Sequence, residues 1–212
     1  MKFTKLGHAC MLIEEGDARI LIDPGAFSKG YEGLKDIDAV LVTHQHADHV
    51  TPEALAKVRR NNPNIVVYGD EGTVRVMAEK GDTTIKPVHA GEAFEVAGVK
   101  IAIYGSNHAV IHPAIPGIEN VGYMIAERFF YPGDNFTDPG ISVEILALPI
   151  GAPWLKVSEV IDYVVAVMPK VAIPVHDAVL AMPEMNAGIV SRFAQTQGIE
   201  VRVVENGATA EF

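Results

Sequence analysis

The chain has 212 residues and a net charge of −10; 49% of its residues are hydrophobic and 21% are charged. That length can bury a substantial core, and one domain over residues 1–212 is expected. The basic residues are scattered and outnumbered, 17 to 27, which argues against a nucleic-acid surface. No apolar run approaches the length of a membrane-spanning helix. The N-terminus alternates rather than showing a basic region followed by an apolar block, and Cys10 has no second cysteine to pair with. A cytoplasmic location is therefore expected.

In chain order, CMLIEE and ARILID read as two strands across a turn at Gly16-Asp17, the second closing at Asp23-Pro24-Gly25. Residues 26–36 read as loop. AVLVT is a short apolar run of the kind found in strands buried on both faces. Thr51-Pro52-Glu53 marks a helix start, with Thr as N-cap and Pro at the first helical position; that helix runs to about Arg60. IVVYG is another buried strand, and TVRVMAEKG a helix closed by Gly81. FEVAGVKIAIYG forms a hairpin turning at Ala97-Gly98, and residues 105–120 form a loop. VGYMIAERFFYPGD is a second hairpin with its turn near Glu127-Arg128. ILALPI is a strand, residues 157–167 a helix with Ser158 as its cap, and VAIPVH a strand ending on His176. A helix from Pro183 to Gln197 stops at Gly198, and VRVVENG is the last strand. Paired strands with helices appended in each half predict two mixed sheets packed face to face and covered outside by helices. The shared strand-then-helix rhythm hints at an internal duplication.

The stretch VTHQHADH, residues 42–49, crowds His44, His46, Asp48 and His49 into the turn after a buried strand. Residues two apart can face the same way, so His44 and His46 form one pair, while Asp48 and His49 point elsewhere as the chain turns. Two adjacent metal positions are expected, because imidazole with carboxylate suits zinc, iron or manganese. A solvated polar turn is the bland alternative. Other candidates also follow strands: His108 after KIAIYGSN, Asp134 after FFYPG and His176 after VAIPV. Strand ends that collect into one cleft commonly build a site.

HQHADH, NHA at 107–109, PGDN at 132–135 and PVH at 174–176 resemble, in type and order, the hallmark of the metallo-β-lactamase fold hydrolases. The resemblance spans essentially the whole chain and implies an α/β fold, a four-layer αββα sandwich with metals at its rim. It implies that His44, His46 and His108 hold a first divalent metal, Asp48, His49 and His176 a second, and that Asp134 bridges them. Zinc is the first expectation, with manganese or iron as alternatives. LGHA at 6–9, LIDP at 21–24 and IPVHD at 173–177 are similar to the branch containing ascorbate-6-phosphate lactonase and N-acylphosphatidylethanolamine phospholipase D. Tyr131 departs from that branch, which often has His before PGD, and is left as a substrate contact.

Several residues carry two readings. His8, placed at the start of the first strand, either lines the site or is a hydrogen-bonded core histidine. Asp23 is expected to hold a ligating imidazole by its free N–H, or simply to begin a turn. His112 is the weaker rival of His108 and otherwise a substrate contact or loop residue. Trp154 is either a pocket wall or core, His89 structural, and Cys10 a buried inert thiol. The expected activity is metal-dependent hydrolysis of a small ester, lactone or phosphodiester by a metal-bridging hydroxide. Asp48 and His8 are the candidate catalytic side chains, with His8 or a metal-bound water as proton donor. Two divalent ions against Asp48, Asp134 and hydroxide leave a charge of about +1, which favours an anionic substrate. A non-catalytic metal-binding or ligand-sensing protein on the same fold is the rival. The expected partner is a small molecule; no nucleic acid and no membrane span are expected, and a homo-oligomer stays open.

Overall fold

The computed structural model describes all of residues 1–212. Two seven-stranded sheets organise the chain. The first runs β14(Thr209–Glu211), β1(Lys2–Lys5), β2(Met11–Glu15), β3(Ala18–Ile22), β4(Ala39–Val42), β5(Val66–Gly69) and β6(Lys86–Pro87). The second runs β13(Glu200–Val201), β12(Val171–Val175), β11(Ile145–Pro149), β10(Phe129–Tyr131), β9(Gly122–Ile125), β8(Val99–Tyr104) and β7(Ala93–Val96). Both are mixed. In the first sheet β1–β3 pair antiparallel and β3–β6 parallel. In the second β7–β10 pair antiparallel and β10–β13 parallel.

Four helices complete the layers: α1(Pro52–Asn61), α2(Glu71–Glu79), α3(Val157–Val167) and α4(Pro183–Ala194). Burial follows strand alternation. Ile20, Ile22, Ala39 and Leu41 meet Ile145, Ala147, Ile173 and Val175 between the sheets. Leu21, Val40 and Val42 face Ala54, Leu55, Val58 and Met77 of α1 and α2. Leu146 and Leu148 face Val160, Val164 and Val190 of α3 and α4. Both faces of the central strands are therefore covered, which is why they read as continuous apolar runs. The order is αββα, as expected, and each half repeats the scheme of antiparallel strands, then parallel strands with a helix after each of two.

Local signals explain most elements. Thr51 Oγ1 accepts the Ala54 N–H at 3.0 Å, capping α1 with Pro52 in its first turn. The 97–98 turn has positive φ at both residues, 46° and 79°, as a tight hairpin turn requires. Three expectations are corrected. Ser158 does not cap α3; the helix spans Val157–Val167 as expected, but its N-cap position is Lys156, whose N–H Glu159 accepts at 2.7 Å. VRVVENG contributes only Val201 to the two-residue β13, while the last strand is β14, which crosses back to β1 of the first sheet. His8 does not open a strand but lies in the connection between β1 and β2. The short β1, KFTK, has only two periods of alternation, too few to be seen by pattern.

The loop after β3 packs directly under the loop after β4. Ala26 N donates to Ala47 O at 2.8 Å. A Cβ on Gly25 would lie 1.8 Å from Asp48 O and 2.4 Å from His49 N, so only glycine permits this approach. Gly25→Ala should cost about 3 kcal/mol in urea unfolding. A loss below about 0.5 kcal/mol would show that the two loops are not held together there.

Candidate metal centre

Strand ends deliver the site. His44, His46, Asp48 and His49 follow β4, His108 follows β8, Asp134 follows β10 and His176 follows β12. His44, His49, His108, Asp134 and His176 are all buried. His44, His46 and His108 converge in one group; His44, His49 and Asp134 in another; His8, Asp48 and His176 in a third.

The outer hydrogen bonds fix where the imidazole protons lie. His176 Nδ1 donates to Gly151 O at 2.6 Å, and His108 Nδ1 to Ala109 O at 2.6 Å. His49 Nδ1 donates to Asp23 Oδ2 at 2.7 Å. The Thr43 hydroxyl donates to Asp23 Oδ2 at 2.7 Å, which leaves it to accept from His44 Nδ1 at 3.1 Å. In the neutral rings, Nε2 of all four histidines is then a bare lone pair facing inward.

These lone pairs face one another and face carboxylates. His49 Nε2 is 3.1 Å from His176 Nε2. Asp134 Oδ1 is 3.2 Å from His49 Nε2 and 3.0 Å from His176 Nε2, and Asp134 Oδ2 is 3.5 Å from His108 Nε2. Asp48 Oδ2 is 3.6 Å from His176 Nε2 and 3.8 Å from His49 Nε2. On the other side His44 Nε2 is 3.0 Å from His46 Nδ1. Ligands at zinc distances stand about 3.3–3.6 Å apart along the edges of a tetrahedron. The donor set, its spacing and the unpartnered buried atoms His108 Nε2 and Asp134 Oδ1 all fit divalent cations. Asp134 turns one oxygen to each side.

The electrostatics agree. Burial opposes ionisation of Asp134, but His49 and His176 hold it well below the usual carboxylate range. Burial likewise opposes Asp48, which His8, His49 and His176 pull down. Burial pushes His44 well below the ordinary histidine value. His49 goes the other way: burial lowers it, but Asp134 and Asp23 together raise it well above. Without a metal, a proton on His49 is thus the positive charge between two carboxylates, and a cation would displace it.

His8 differs from the ligating type. Its Nδ1 accepts the Ala178 N–H at 3.0 Å, and burial lowers its pKa, so the neutral ring carries its proton on Nε2. That nitrogen faces Asp48 Oδ2 at 3.3 Å. It has no lone pair to offer, although it lies in one of the converging groups. Of the remaining candidates, Asp23 holds His49 and also accepts the Thr43 N–H at 2.8 Å, as a supporting carboxylate should. His112 is exposed on the 109–118 loop, its Nδ1 accepting the Ala114 N–H at 3.1 Å, and does not reach the cluster. Tyr131 is fully buried in the inter-sheet core, so the expected substrate contact is corrected: its side chain lies beneath the site.

Two supports, Asn120 and Thr43, escaped the sequence, and a third, Trp154, stands open there between pocket wall and core. Asn120 accepts the Asp134 N–H at 3.0 Å through Oδ1 and donates to Pro132 O at 2.9 Å, bracing the PGD turn. Thr43, inside the motif, is the hub between Asp23 and two imidazoles. Trp154 resolves toward the site, donating from Nε1 to Asp134 Oδ2 at 2.8 Å with its ring edge-on to His108. A lone Asn in a loop has no periodic signal by which to be found. Beside His46 and His108 opens a cavity of about 440 Å³, walled by Ala109, Val110, Ile111 and Ile115 among others, with no lysine or arginine in its lining.

A family model described as a β-lactamase superfamily domain matches residues 2–176. The chain belongs to the β-lactamase superfamily. This superfamily member is 37% identical over 217 residues to Protein Rv0786c of Mycobacterium tuberculosis, across all of both chains. It is 27% identical over 223 residues to the UPF0173 metal-dependent hydrolase MJ1163 of Methanocaldococcus jannaschii, covering 98% of this chain and 99% of that one. Among solved structures it is similar to Igni18, a metallo hydrolase of Ignicoccus hospitalis, with TM-score 0.75, 23% identity and coverage of 100% and 98%. The metallo-β-lactamase fold protein YhfI of Bacillus subtilis superposes with TM-score 0.72 at 16% identity, covering 99% of each. The fold is thus the metallo-β-lactamase fold. No helix is long and apolar enough to cross a membrane.

The same loops leave one buried acid out of balance. Asp70 caps α2, its Oδ1 accepting the Thr73 N–H at 2.9 Å, while its Oδ2 and the nearby Gln45 Oε1 have no partner. Burial raises Asp70 from 3.8 to about 6, with Glu119 adding to the effect. A raised carboxyl favours the protonated fold, so this contribution is full below pH 3.8 and lost as pH rises through about 6. Asp70→Asn keeps the cap and removes that loss. Chemical unfolding should show the variant gaining about 2 kcal/mol on wild type between pH 4 and pH 8. A difference that does not change with pH would contradict this account of Asp70.

Proposed function

We propose that the chain is a dinuclear metal-dependent hydrolase working as one unit over residues 1–212. In this reading His44, His46 and His108 would hold one divalent cation and Asp48, His49 and His176 the other, with Asp134 a ligand available to both. Zinc is the preferred ion, because imidazole nitrogen dominates the donor set; manganese and iron are compatible with it. The observation that carries the reading is the set of four Nε2 lone pairs, fixed from behind and converging on both oxygens of Asp134. Bound divalent ions supply Lewis acidity and a nucleophile available at neutral pH.

The side chains do the rest. Asp23 and Thr43 hold His44 and His49 in one tautomer and orientation. Trp154 fixes Asp134 and packs its ring edge-on against His108. The His8 Nε2–H, 3.3 Å from Asp48 Oδ2 and without a hydrogen-bond partner, is a neutral donor beside the centre, free to give a hydrogen bond to a developing oxyanion or leaving group. The reaction adds water across an acyl or phosphoryl bond, its oxygen joining the electrophilic centre and a proton leaving with the departing oxygen. The N-terminal G-H pair, whose His8 reaches the cluster, supports placement in the lactonase and phospholipase branch.

The test is elemental analysis with hydrolysis of bis-p-nitrophenyl phosphate and a small lactone panel. About two metals per chain and chelator-sensitive turnover are expected. His46→Ala should lose metal and activity together, turnover falling at least about 100-fold, while circular dichroism stays unchanged. Unchanged metal content in that variant would sink the assignment.

A further inference from the structure

The cavity beside His46 and His108 is built by one arch of chain. His108 N donates to Ile118 O at 3.0 Å, and Asn107 bridges to Glu119, so residues 109–117 close on a narrow neck. Ala109 N donates to Asp134 O at 2.8 Å, tying the arch to the centre. Apart from His112 its side chains are apolar and several face outward: Val110 is 71% exposed and Ile115 51%. Pro113 and Pro116 restrict the arch, which limits the ordering required when a ligand binds.

Apolar exposure recurs on the other loops that leave the strand ends. Phe27, 53% exposed, lies on the loop after Asp23, its ring edge-on to His8. Val179 and Met182 stand exposed on the loop after His176. An uncharged apolar lining beside a polar centre is what a substrate with a hydrocarbon portion needs. A phosphodiester or other anion would meet no lysine or arginine in this cavity.

We propose that the substrate is an uncharged carboxylic ester or lactone whose apolar acyl portion lies in the 109–118 cavity, with its carbonyl at the His46 and His108 end. This rests on the hydrolase reading and narrows it. Water's oxygen bonds to the carbonyl carbon, the ester C–O bond breaks, and the alcohol leaves with a proton, giving acid and alcohol.

Binding is read first, without turnover. Trp154 is the single tryptophan and stands at the centre, so its fluorescence reports ligands there. The probes are straight-chain alkyl hydroxamates of two to eight carbons with the metal-loaded protein, its metal content measured in the same samples. Affinity should rise about threefold per added methylene until the cavity fills. The kcat/KM for p-nitrophenyl acetate, butyrate and hexanoate should rise in step and exceed that for bis-p-nitrophenyl phosphate. Ile115→Asp and Val110→Ser should each flatten the chain-length dependence at least about threefold, whereas His112→Ala, outside the cavity on the same arch, should keep it. Affinity independent of chain length in metal-loaded protein overturns the substrate assignment and leaves the hydrolase reading standing. A dependence that appears only above the micellar concentration, unchanged by both variants, assigns the apolar rim to a lipid surface and overturns the cavity proposal. Protein that binds no metal refutes the hydrolase reading, and this inference with it.

Discussion

Lone pairs do not gather in a dry pocket unless positive charge holds them there. Nε2 of His49 and His176 lie 3.1 Å apart and share the same oxygen of Asp134, with their outer nitrogens already committed. One proton on His49 satisfies one of these contacts and leaves the others opposed. The surrounding structure maintains this arrangement against its own repulsion. Asp23 and His176 both adopt left-handed backbone, φ 44° and 59°, at a cost of about 1–2 kcal/mol each. Asp23 N donates to Leu41 O at 3.0 Å and His176 N to His8 O at 2.7 Å, which locks both bends. Strain held in this way at a cluster of polar groups is characteristic of a working site.

The two sheets are the frame for that tension. Tyr123 of β9 donates its hydroxyl to Val42 O at 2.8 Å, and Val121 N donates to Thr43 O at 2.9 Å. These contacts join the sheets at the point where the histidine loop leaves β4. Each half of the chain repeats the same strand and helix scheme, yet the halves contribute differently. The first supplies four residues from a single turn, and the second supplies His108, Asp134 and His176 from three separate strand ends. Neither half closes the centre alone, so its integrity depends on inter-sheet packing.

Much of this was legible in the sequence because the strongest signals were local. Apolar runs such as AVLV and ILALP announced strands covered on both faces, and Thr51-Pro52 announced α1. The spacing of HQHADH separated the direction of His44 and His46, which converge with His108, from that of Asp48, which converges with His8 and His176. What stayed hidden depends on contacts distant in sequence. β14 pairs with β1 from the other end of the chain, and three residues cannot display a period. His8 could be placed near the site, but its role rests on the proton held on Nε2, which depends on a backbone N–H 170 residues away. Tyr131 looked available to substrate because its neighbour is a site turn; strand alternation points it into the core instead. The apolar cavity walled by residues 109–118 was hidden as well, because a loop without periodicity does not show which side chains it gathers beside His46 and His108.

The central claim is that two cations sit on either side of Asp134, with His8 beside them rather than bound. Anomalous diffraction from crystals of the zinc-loaded protein tests it directly. The account expects two peaks about 3.5–4 Å apart, one on each oxygen of Asp134, with His8 Nε2 outside bonding distance of both. A single peak, or a peak bonded to His8 Nε2, would contradict it.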